Sequence, residues 1–356
     1  MKKIVVLVLI IVSSVGYAKT YSPFCFNSKY GIIDESRNVV IQPEYKDINV
    51  FENLCIVCEP EDSGQIVYTP DLKKVYTFEK KVAIWEKYND RELRLGKKLL
   101  FNLDTLEVYS RTFDEKYNSE YGYRNNRQVV LMSNEDDSQP YNIFRVVDRK
   151  HKIFTPKLLQ ADTWYSEGLL PVIFLDGKSG YINENGKLII EVPLYDDERT
   201  ADIRISPNLN YSFNEGIALV QTEKDVWQLL DKGGNLKRLP EEYTYYARIF
   251  SNGLLLIENS EQKFGFMNRN SDVAIPCIFD SAKTFKGKYA IVVYRSKDAV
   301  VDTDGNIYYC EDFFKINYKF IFFTVTLPVF FGSLFLTSNI SIILIIFFTV
   351  KKRLQA

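Results

Sequence analysis

Between residues 19 and 319 the chain alternates short apolar runs with polar, turn-forming residues. Leu169–Ile173, Ile217–Val220 and Leu254–Ile257 are nearly continuous apolar runs. Runs this short, in a region without long helical periodicity, are typical of strands that are covered on both faces. A second strand follows each run and ends in an Asx- and Gly-containing turn such as Asn183–Gly186, which favours a β-hairpin. The pattern predicts an all-β region.

The strands recur as a repeat whose units open with an aromatic residue shortly before Gly. The opening glycines of four units are Gly168, Gly216, Gly253 and Gly287, at steps of 48, 37 and 34 residues. Asn or Asp stands fifteen residues after each Gly, and small residues recur at other fixed offsets. The remaining shared positions, with those of a first copy near the N-terminus, are Gly31, Asp34, Gly180, Asn183, Gly186, Trp227, Asp231, Gly234, Gly265, Asn268, Asp302 and Gly305. Repetition at such a period predicts an array of similar modules.

Fainter copies extend the repeat into the N-terminal half. The predicted strand pairs are Cys55–Glu59 with Gln65–Tyr68, Val82–Glu86 with Lys98–Asn102, and Val129–Met132 with Ile143–Asp148. Together the copies predict about eight units of three antiparallel strands. Strands that are apolar on both faces need neighbouring modules on each side, so a closed, propeller-like ring is favoured and an open β-solenoid is the alternative.

Several motifs carry a family resemblance. The unit cores Tyr30–Asp34, Ser179–Asn183 and Phe264–Asn268, and the closing loops Val40–Tyr45 and Ile275–Asp280, resemble the bacterial WG-repeat family, also called KWG repeats. Members carry an aromatic-x-x-Gly opening, a Trp-Gly core and a closing loop with Pro and an aromatic residue.

The chain departs from the family pattern at the dipeptide that gives it its name. No unit keeps Trp-Gly intact, and Trp227 is the only Trp at the position that the family's Trp occupies within a unit. What the resemblance implies is a non-catalytic, often exported, interaction scaffold.

The two ends of the chain are apolar and free of acidic residues. Lys2 and Lys3, the apolar run Ile4–Val12 and the small residues of Gly16–Ala18 predict an export signal, with an uncleaved anchor as the alternative. Residues 320–350 contain no charged side chain and precede a basic cluster, so they predict a membrane-spanning helix. The predicted organisation is a signal at 1–18, a β-repeat ectodomain at 19–312, a linker at 313–319, a span at 320–350 and a cytoplasmic tail at 351–356.

The net charge of the predicted ectodomain excludes one class of partner. Five of the 45 basic residues lie in the two ends, whereas all 46 acidic residues lie between them, so the middle carries about six net negative charges. Nucleic-acid binders need a basic face, so no nucleic-acid partner is predicted. The predicted location is a single-pass membrane protein with its repeats on the periplasmic or extracellular side.

Candidate chemistry is sparse. His151, the one histidine, is flanked by cations and predicts a solvated turn; Asp302–Asn306 resembles part of a calcium loop but falls on the repeat's hairpin turn. In a regular strand Cys55 and Cys58 point to opposite faces and predict no metal site. No cofactor and no metal are predicted. The alternative function is a tethered glycan or peptide hydrolase with a carboxylate pair, for instance from Asp196–Glu198.

Departures from the repeat predict the binding surface. Insertions at Ser133–Asn142 and Thr200–Pro207 lengthen two units, and insertions in repeat proteins often gather on a binding face. Tyrosines form a second candidate surface: Tyr211, Tyr243, Tyr245 and Tyr246. The sequence favours a membrane-anchored scaffold that binds a protein or an envelope polymer.

Overall fold

The structure is a computed structural model that describes residues 20–314 apart from 52–53, 63, 90, 97–98, 111–118, 125–126, 133–142, 149, 196–208 and 210. The described residues form 29 strands in seven antiparallel sheets. The first sheet contains β1 (Ser22–Phe26), β2 (Lys29–Ile33) and β3 (Val39–Tyr45). The second contains β4 (Asp47–Phe51), β5 (Cys55–Glu59), β6 (Gln65–Tyr68) and β7 (Lys74–Phe78). The third contains β8 (Ile84–Asn89), β9 (Glu92–Leu95), β10 (Leu99–Asn102) and β11 (Glu107–Ser110).

The fourth sheet is the largest and the remaining three are smaller. The fourth contains β12 (Ser119–Arg124), β13 (Arg127–Met132), β14 (Ile143–Val147), β15 (Leu158–Ala161), β16 (Leu169–Phe174), β17 (Ser179–Asn183) and β18 (Leu188–Glu191). The fifth contains β19 (Ile217–Glu223), β20 (Val226–Asp231) and β21 (Leu236–Arg238). The sixth contains β22 (Phe250–Ser251), β23 (Leu254–Glu258), β24 (Phe264–Asn268) and β25 (Val273–Phe279). The seventh contains β26 (Ser281–Ala282), β27 (Tyr289–Tyr294), β28 (Lys297–Asp302) and β29 (Ile307–Tyr309).

Strands that are adjacent in the chain are adjacent in every sheet, so each sheet is an up-and-down meander. Seven meanders in succession give a propeller-like, seven-bladed architecture. The all-β prediction is confirmed. The prediction of about eight units differs from the seven sheets because two predicted units, which correspond to β13–β14 and β16–β18, lie in one sheet. The connection is β15, which joins β14 through a single residue pair, Phe144 with Leu158.

Most sheets also contain more strands than the three predicted for each unit. In the sixth and seventh sheets the additional strand comes first and has two residues, β22 and β26. Two residues carry no periodicity, so the sequence pattern contains no signal for them. One predicted pairing is wrong. The strands predicted at Val82–Glu86 and Lys98–Asn102 correspond to β8 and β10, which do not pair with each other, because β9 lies between them and pairs with both.

Apolar side chains pack between successive sheets. One cluster joins the fourth and fifth sheets through Tyr181, Ile190 and Ala218, and another joins the fifth and sixth through Leu229 and Leu255. Similar clusters lie between the first and second, second and third, and sixth and seventh sheets. This packing explains why the strands are apolar on both faces.

The first sheet packs against the last. Ser22 Oγ accepts a hydrogen bond from the Lys288 N–H at 2.9 Å, and the Tyr289 hydroxyl donates to the Glu35 carbonyl at 2.8 Å. Phe24 packs edge to face on Phe313, with ring centroids 5.6 Å apart. Phe313 belongs to a helical turn over residues 310–314 and is buried, so the packed region extends beyond the predicted ectodomain boundary at 312. These contacts join sequence ends more than 250 residues apart and favour the closed ring over the open solenoid.

The core of each of two predicted units contains a glycine, and no larger residue fits there because the backbone of the next strand lies too close. A Cβ on Gly265 would lie 2.6 Å from the Ile275 carbonyl oxygen, and one on Gly31 would lie 2.6 Å from the Ile41 carbonyl oxygen. Both sites coincide with register shifts where the third strand bulges toward the second. Any side chain at these positions would push the two strands apart.

Among the described residues, we find no helix whose length and apolar character would suit a membrane span. The predicted export signal, the predicted span at 320–350 and the tail at 351–356 all lie outside the described residues, as do the insertions Ser133–Asn142 and Thr200–Pro207.

Candidate functional site

Two-residue loops at the start of the repeat units each connect two neighbouring, paired segments of one sheet. Glu167-Gly168, Glu215-Gly216 and Asn252-Gly253 all have positive φ at both positions, which is the geometry of a tight β-hairpin. Gly287 occupies the matching place in the seventh sheet with φ of 64°. The loops therefore stand in register along the fourth to seventh sheets.

The residue before Gly in each loop reaches the following loop. A carboxylate oxygen of Glu167 accepts from the Gly216 N–H at 3.0 Å, and the two carboxylate oxygens of Glu215 accept from the Asn252 and Gly253 N–H groups at 2.8 Å each. The Asn252 side-chain amide donates to the Gly287 carbonyl at 2.6 Å. We call this chain of contacts the loop ladder. It fixes each sheet to its neighbour at one end of the sheets.

Cations in the next sheet support the ladder. Lys232 Nζ lies 2.9 Å from Glu167, and Arg269 Nη2 lies 2.8 Å from Glu215. Burial by itself would raise the pKa of Glu167, but the hydrogen bonds from Lys232 and from the Gly216 N–H outweigh it and hold that pKa below its usual value. Lys232 and Arg269 both follow directly after a repeated Asx position, so the repeat itself supplies the pairing.

The repeated Asx residues cap the hairpin turns between the second and third strands of their units. Asp302 Oδ1 accepts from the N–H groups of Asp304 and Asn306, and its Oδ2 accepts from the Asn306 amide and the Tyr308 hydroxyl. The same two backbone bonds are made by Asp34, Asn183, Asp231 and Asn268. Positive φ follows at Gly186, Gly234 and Gly305. The segment that resembles a calcium loop is therefore a turn whose carboxylate is already occupied.

Other sequence candidates for chemistry have structural roles. Cys55 and Cys58 are buried in different clusters, on opposite faces of β5, as the strand geometry predicted. His151 is an exposed turn residue with φ of 60°. Within the described ranges no group of three or more His, Cys, Asp or Glu side chains is arranged to hold a metal ion.

The predicted tyrosine surface divides into core and exposed members. Tyr211 and Tyr245 are buried, and their hydroxyls donate to the backbone carbonyls of Tyr195 and Pro240, so both contribute to the core instead of to an exposed surface. Tyr243 is half-buried in the cluster between the fifth and sixth sheets, as is Trp227. Tyr246 is 60% exposed and lines a cavity.

That cavity lies where the segments that precede β16, β19 and β22 meet, and we call it the Asp162 cavity. Its volume is about 400 Å³ and it is lined by Asp162, Trp164, Ser212 and residues 246–249. All of these positions lie a few residues before a loop of the loop ladder along the chain. Sites of this size, with a few converging polar groups, suit small ligands or single side chains of a larger partner.

Asp162 is the unusual group in this cavity. It is only 4% exposed, and its carboxyl oxygens accept from the Thr163 N–H at 2.7 Å and from the Ser212 hydroxyl at 2.8 Å. Burial raises the pKa of Asp162, and the hydrogen bonds from Ser212 and Thr163 offset part of that rise. A perturbed carboxyl in a cleft is a common mark of a functional site. Nothing in the segment Ala161–Trp164 indicated this from sequence, because the burial comes from neighbouring sheets.

A second cavity lies at the closure between the first and last sheets. Its volume is about 480 Å³, and its wall includes β4, Tyr30, Lys283 and Lys286. Lys283 Nζ lies 2.9 Å from the Tyr30 hydroxyl and 4.5 Å from the centre of its ring, so this cation is engaged within the protein. The Asp162 cavity is therefore the stronger candidate site.

The sheet order and the ring closure define a β-propeller assembled from repeats. Two segments, residues 30–59 and 264–297, match the family model of the WG containing repeat. The first begins at Tyr30-Gly31 and the second at Phe264-Gly265, which are two of the motifs that carried the sequence resemblance. The predicted WG-repeat resemblance is confirmed at these two segments. No curated protein matches the chain.

Several solved structures are similar to the chain at low sequence identity. They include a eukaryotic initiation factor (9% identity, TM-score 0.46, covering 82% of this chain and 95% of that one). BamB from Moraxella catarrhalis has 9% identity and a TM-score of 0.36, with 80% and 94% covered. The C-terminal WD40 domain of Sif2 has 8% identity and a TM-score of 0.41, with 79% and 90% covered.

Proposed function

We propose that the protein is a non-catalytic scaffold that binds a protein or a polymer of the cell envelope. The observation that carries the proposal is the Asp162 cavity, which opens between sheets that the loop ladder holds in a fixed arrangement. Binding sites are most effective on rigid elements, because little conformational freedom is lost when the partner binds. A ring of interlocked sheets supplies such rigidity.

The proposal includes a location. The apolar segment 320–350 and its basic flank favour a membrane tether, and the N-terminal signal favours export of the propeller. Protease added to spheroplasts, from which the outer layers of the envelope have been removed, should then digest the propeller and leave an epitope tag fused after residue 356 protected. Digestion of the tag, or protection of the propeller, would contradict this location.

In-cell photo-crosslinking tests the binding role. A photoreactive amino acid in place of Tyr246 lies at the cavity, whereas the same amino acid in place of Ile153, which is 50% exposed, lies away from the lining residues. We expect a specific adduct from position 246 that mass spectrometry identifies and that position 153 does not give. Equal adducts from both positions, or none from 246, would contradict the proposal.

The hydrolase alternative finds less support. Glycoside hydrolysis of the usual kind needs two carboxyl groups beside the scissile bond. Among the described lining residues of the Asp162 cavity, Asp162 supplies the one carboxyl group. A hydrolytic turnover that Asp162→Asn abolishes would favour the enzyme instead of the scaffold.

A further inference from the structure

The carboxyl of Asp162 is buried, and no described residue supplies it with a counter-ion. It faces the Asp162 cavity, yet none of the ion pairs formed by the described residues includes it. Arg248 lines the same cavity, but its guanidinium lies over the ring of Trp227, with Cζ 4.8 Å from the ring centre. The nearest cation of the wall is therefore directed to an aromatic face and not to the acid.

A buried carboxylate is unfavourable unless a cation or several donors compensate it. The Ser212 hydroxyl and the backbone N–H and side-chain hydroxyl of Thr163 donate hydrogen bonds to the two carboxyl oxygens. A carboxylate has about four acceptor sites, so acceptor capacity remains for a ligand. Burial raises the pKa of Asp162 and so favours the protonated acid in the free protein. A cationic ligand that enters the cavity would compensate it directly.

The walls of the cavity suit the same kind of ligand. Trp164 and Tyr246 line it, and aromatic faces attract ammonium and guanidinium groups. Tyr246 hydrogen-bonds to Glu258, so a second acidic group lies next to an aromatic residue of the wall. The acid inside the cavity, the two aromatic residues and this second acid together complement a positive charge.

We propose that the Asp162 cavity binds a cationic group, either a primary ammonium or a guanidinium, through an ion pair with Asp162 and contact with Trp164 and Tyr246. The inference rests on the proposed scaffold function, for which it names the chemistry of the group that the partner presents. The ammonium of a lysine side chain and that of an amino sugar share this chemistry, so the test includes both sources.

Binding of a cation is coupled to loss of a proton from Asp162. The charged and titratable groups around the acid are Arg248 in the wall, Glu258 behind Tyr246, and the Tyr181 hydroxyl, which donates to the Tyr211 carbonyl. Tyr181 keeps its proton because burial raises its pKa. Affinity for a cation should therefore increase with pH until Asp162 is ionised in the free protein.

Calorimetric titration of the full chain in mild detergent provides the test. The probes are n-butylammonium, n-butylguanidinium, lysine amide and glucosamine, with N-butylacetamide as the uncharged control. We expect saturable binding of the cations and none of N-butylacetamide. Asp162→Asn should weaken cation binding at least about tenfold, while the matched variant Asp176→Asn, which changes an exposed turn carboxyl, should not. A preference between lysine amide and glucosamine assigns the source.

A second variant distinguishes loss of binding from loss of folding. Tyr246 is 60% exposed, so Tyr246→Ala should leave the thermal transition unchanged and still weaken cation binding. Equal cation affinity in wild type and Asp162→Asn, equal binding of N-butylacetamide, or no binding of any cation would overturn the inference. The scaffold proposal is tested separately: a photo-crosslinked partner at position 246 that persists in Asp162→Asn would support the scaffold and overturn the cation site.

Discussion

Removing the carboxylate of Glu215 should loosen the contact between the fifth and sixth sheets. Its two oxygens accept the backbone N–H groups of Asn252 and Gly253 at 2.8 Å each, and one of them also pairs with Arg269 at 2.8 Å. No other described side chain bonds to these two N–H groups, so Glu215→Ala leaves them to water.

The expected cost follows from the exposure of the groups. The Glu215 and Arg269 side chains are 30% and 44% exposed, so their ion pair contributes less than about 1 kcal/mol. Each hydrogen bond from backbone to carboxylate contributes about 1 kcal/mol net where water competes for the donors. Glu215→Ala should therefore lower the free energy of unfolding by about 2–3 kcal/mol, which lowers the Tm by roughly 3–5 °C for a domain of this size.

Thermal unfolding followed by tryptophan fluorescence measures this effect, because Trp227 lies in the fifth sheet. The control is Glu261→Ala, an exposed acid in a hairpin turn of the sixth sheet, which should change the free energy of unfolding by less than about 0.5 kcal/mol. Glu215→Gln keeps one acceptor oxygen and should fall between the two. If Glu215→Ala and Glu261→Ala unfold at the same temperature, the loop ladder does not hold the sheets together.

Three further predictions test the packing and the Asp162 cavity. Gly265→Ala should cost about 2–3 kcal/mol in urea unfolding because its Cβ meets backbone, whereas Gly253→Ala, at φ of 74° in open space, should cost about 1 kcal/mol. Tyr181→Phe should cost about 1–2 kcal/mol, since the buried Tyr211 carbonyl loses its donor. Asp162→Asn should be more stable than wild type at pH 7: burial raises the folded pKa, so wild-type stability falls as the pH rises through the unfolded value of about 3.9. That gain should disappear below this pH; an equal difference at pH 3 and pH 7 would refute the assignment.

Much of the fold is encoded locally and could be predicted. The runs beginning at Leu169, Ile217 and Leu254 are strands in the structure with those first residues, because apolar positions on both faces and Asx turns act within one unit. The short first strands could not be predicted, since β26 has two residues and depends on its neighbour for pairing.

The candidate site depends on contacts between units, which a single sequence does not reveal. Tyr211 stands between polar Asn210 and Ser212, and Tyr246 stands between Tyr245 and Ala247. Tyr211 is nevertheless 4% exposed and Tyr246 60% exposed, because contacts between units decide their burial. Asp162 has an ordinary sequence context, and its burial arises only when the Ser212 segment packs against it. The repeat predicts the scaffold, and the packing of its units creates the site.

The distance between the two ends of the propeller tests the closed ring directly. Ser36 and Lys288 are exposed, and Lys288 Nζ lies 3.4 Å from the carbonyl oxygen of Glu35, the residue next to Ser36. Spin labels can be attached at positions 36 and 288 through an unnatural amino acid, which leaves the five cysteines untouched. Pulsed EPR of the full chain should give a single, short distance between the two spin labels. Sheets packed in an open row lie about 10 Å apart, so a distribution near 60 Å would contradict the closed propeller.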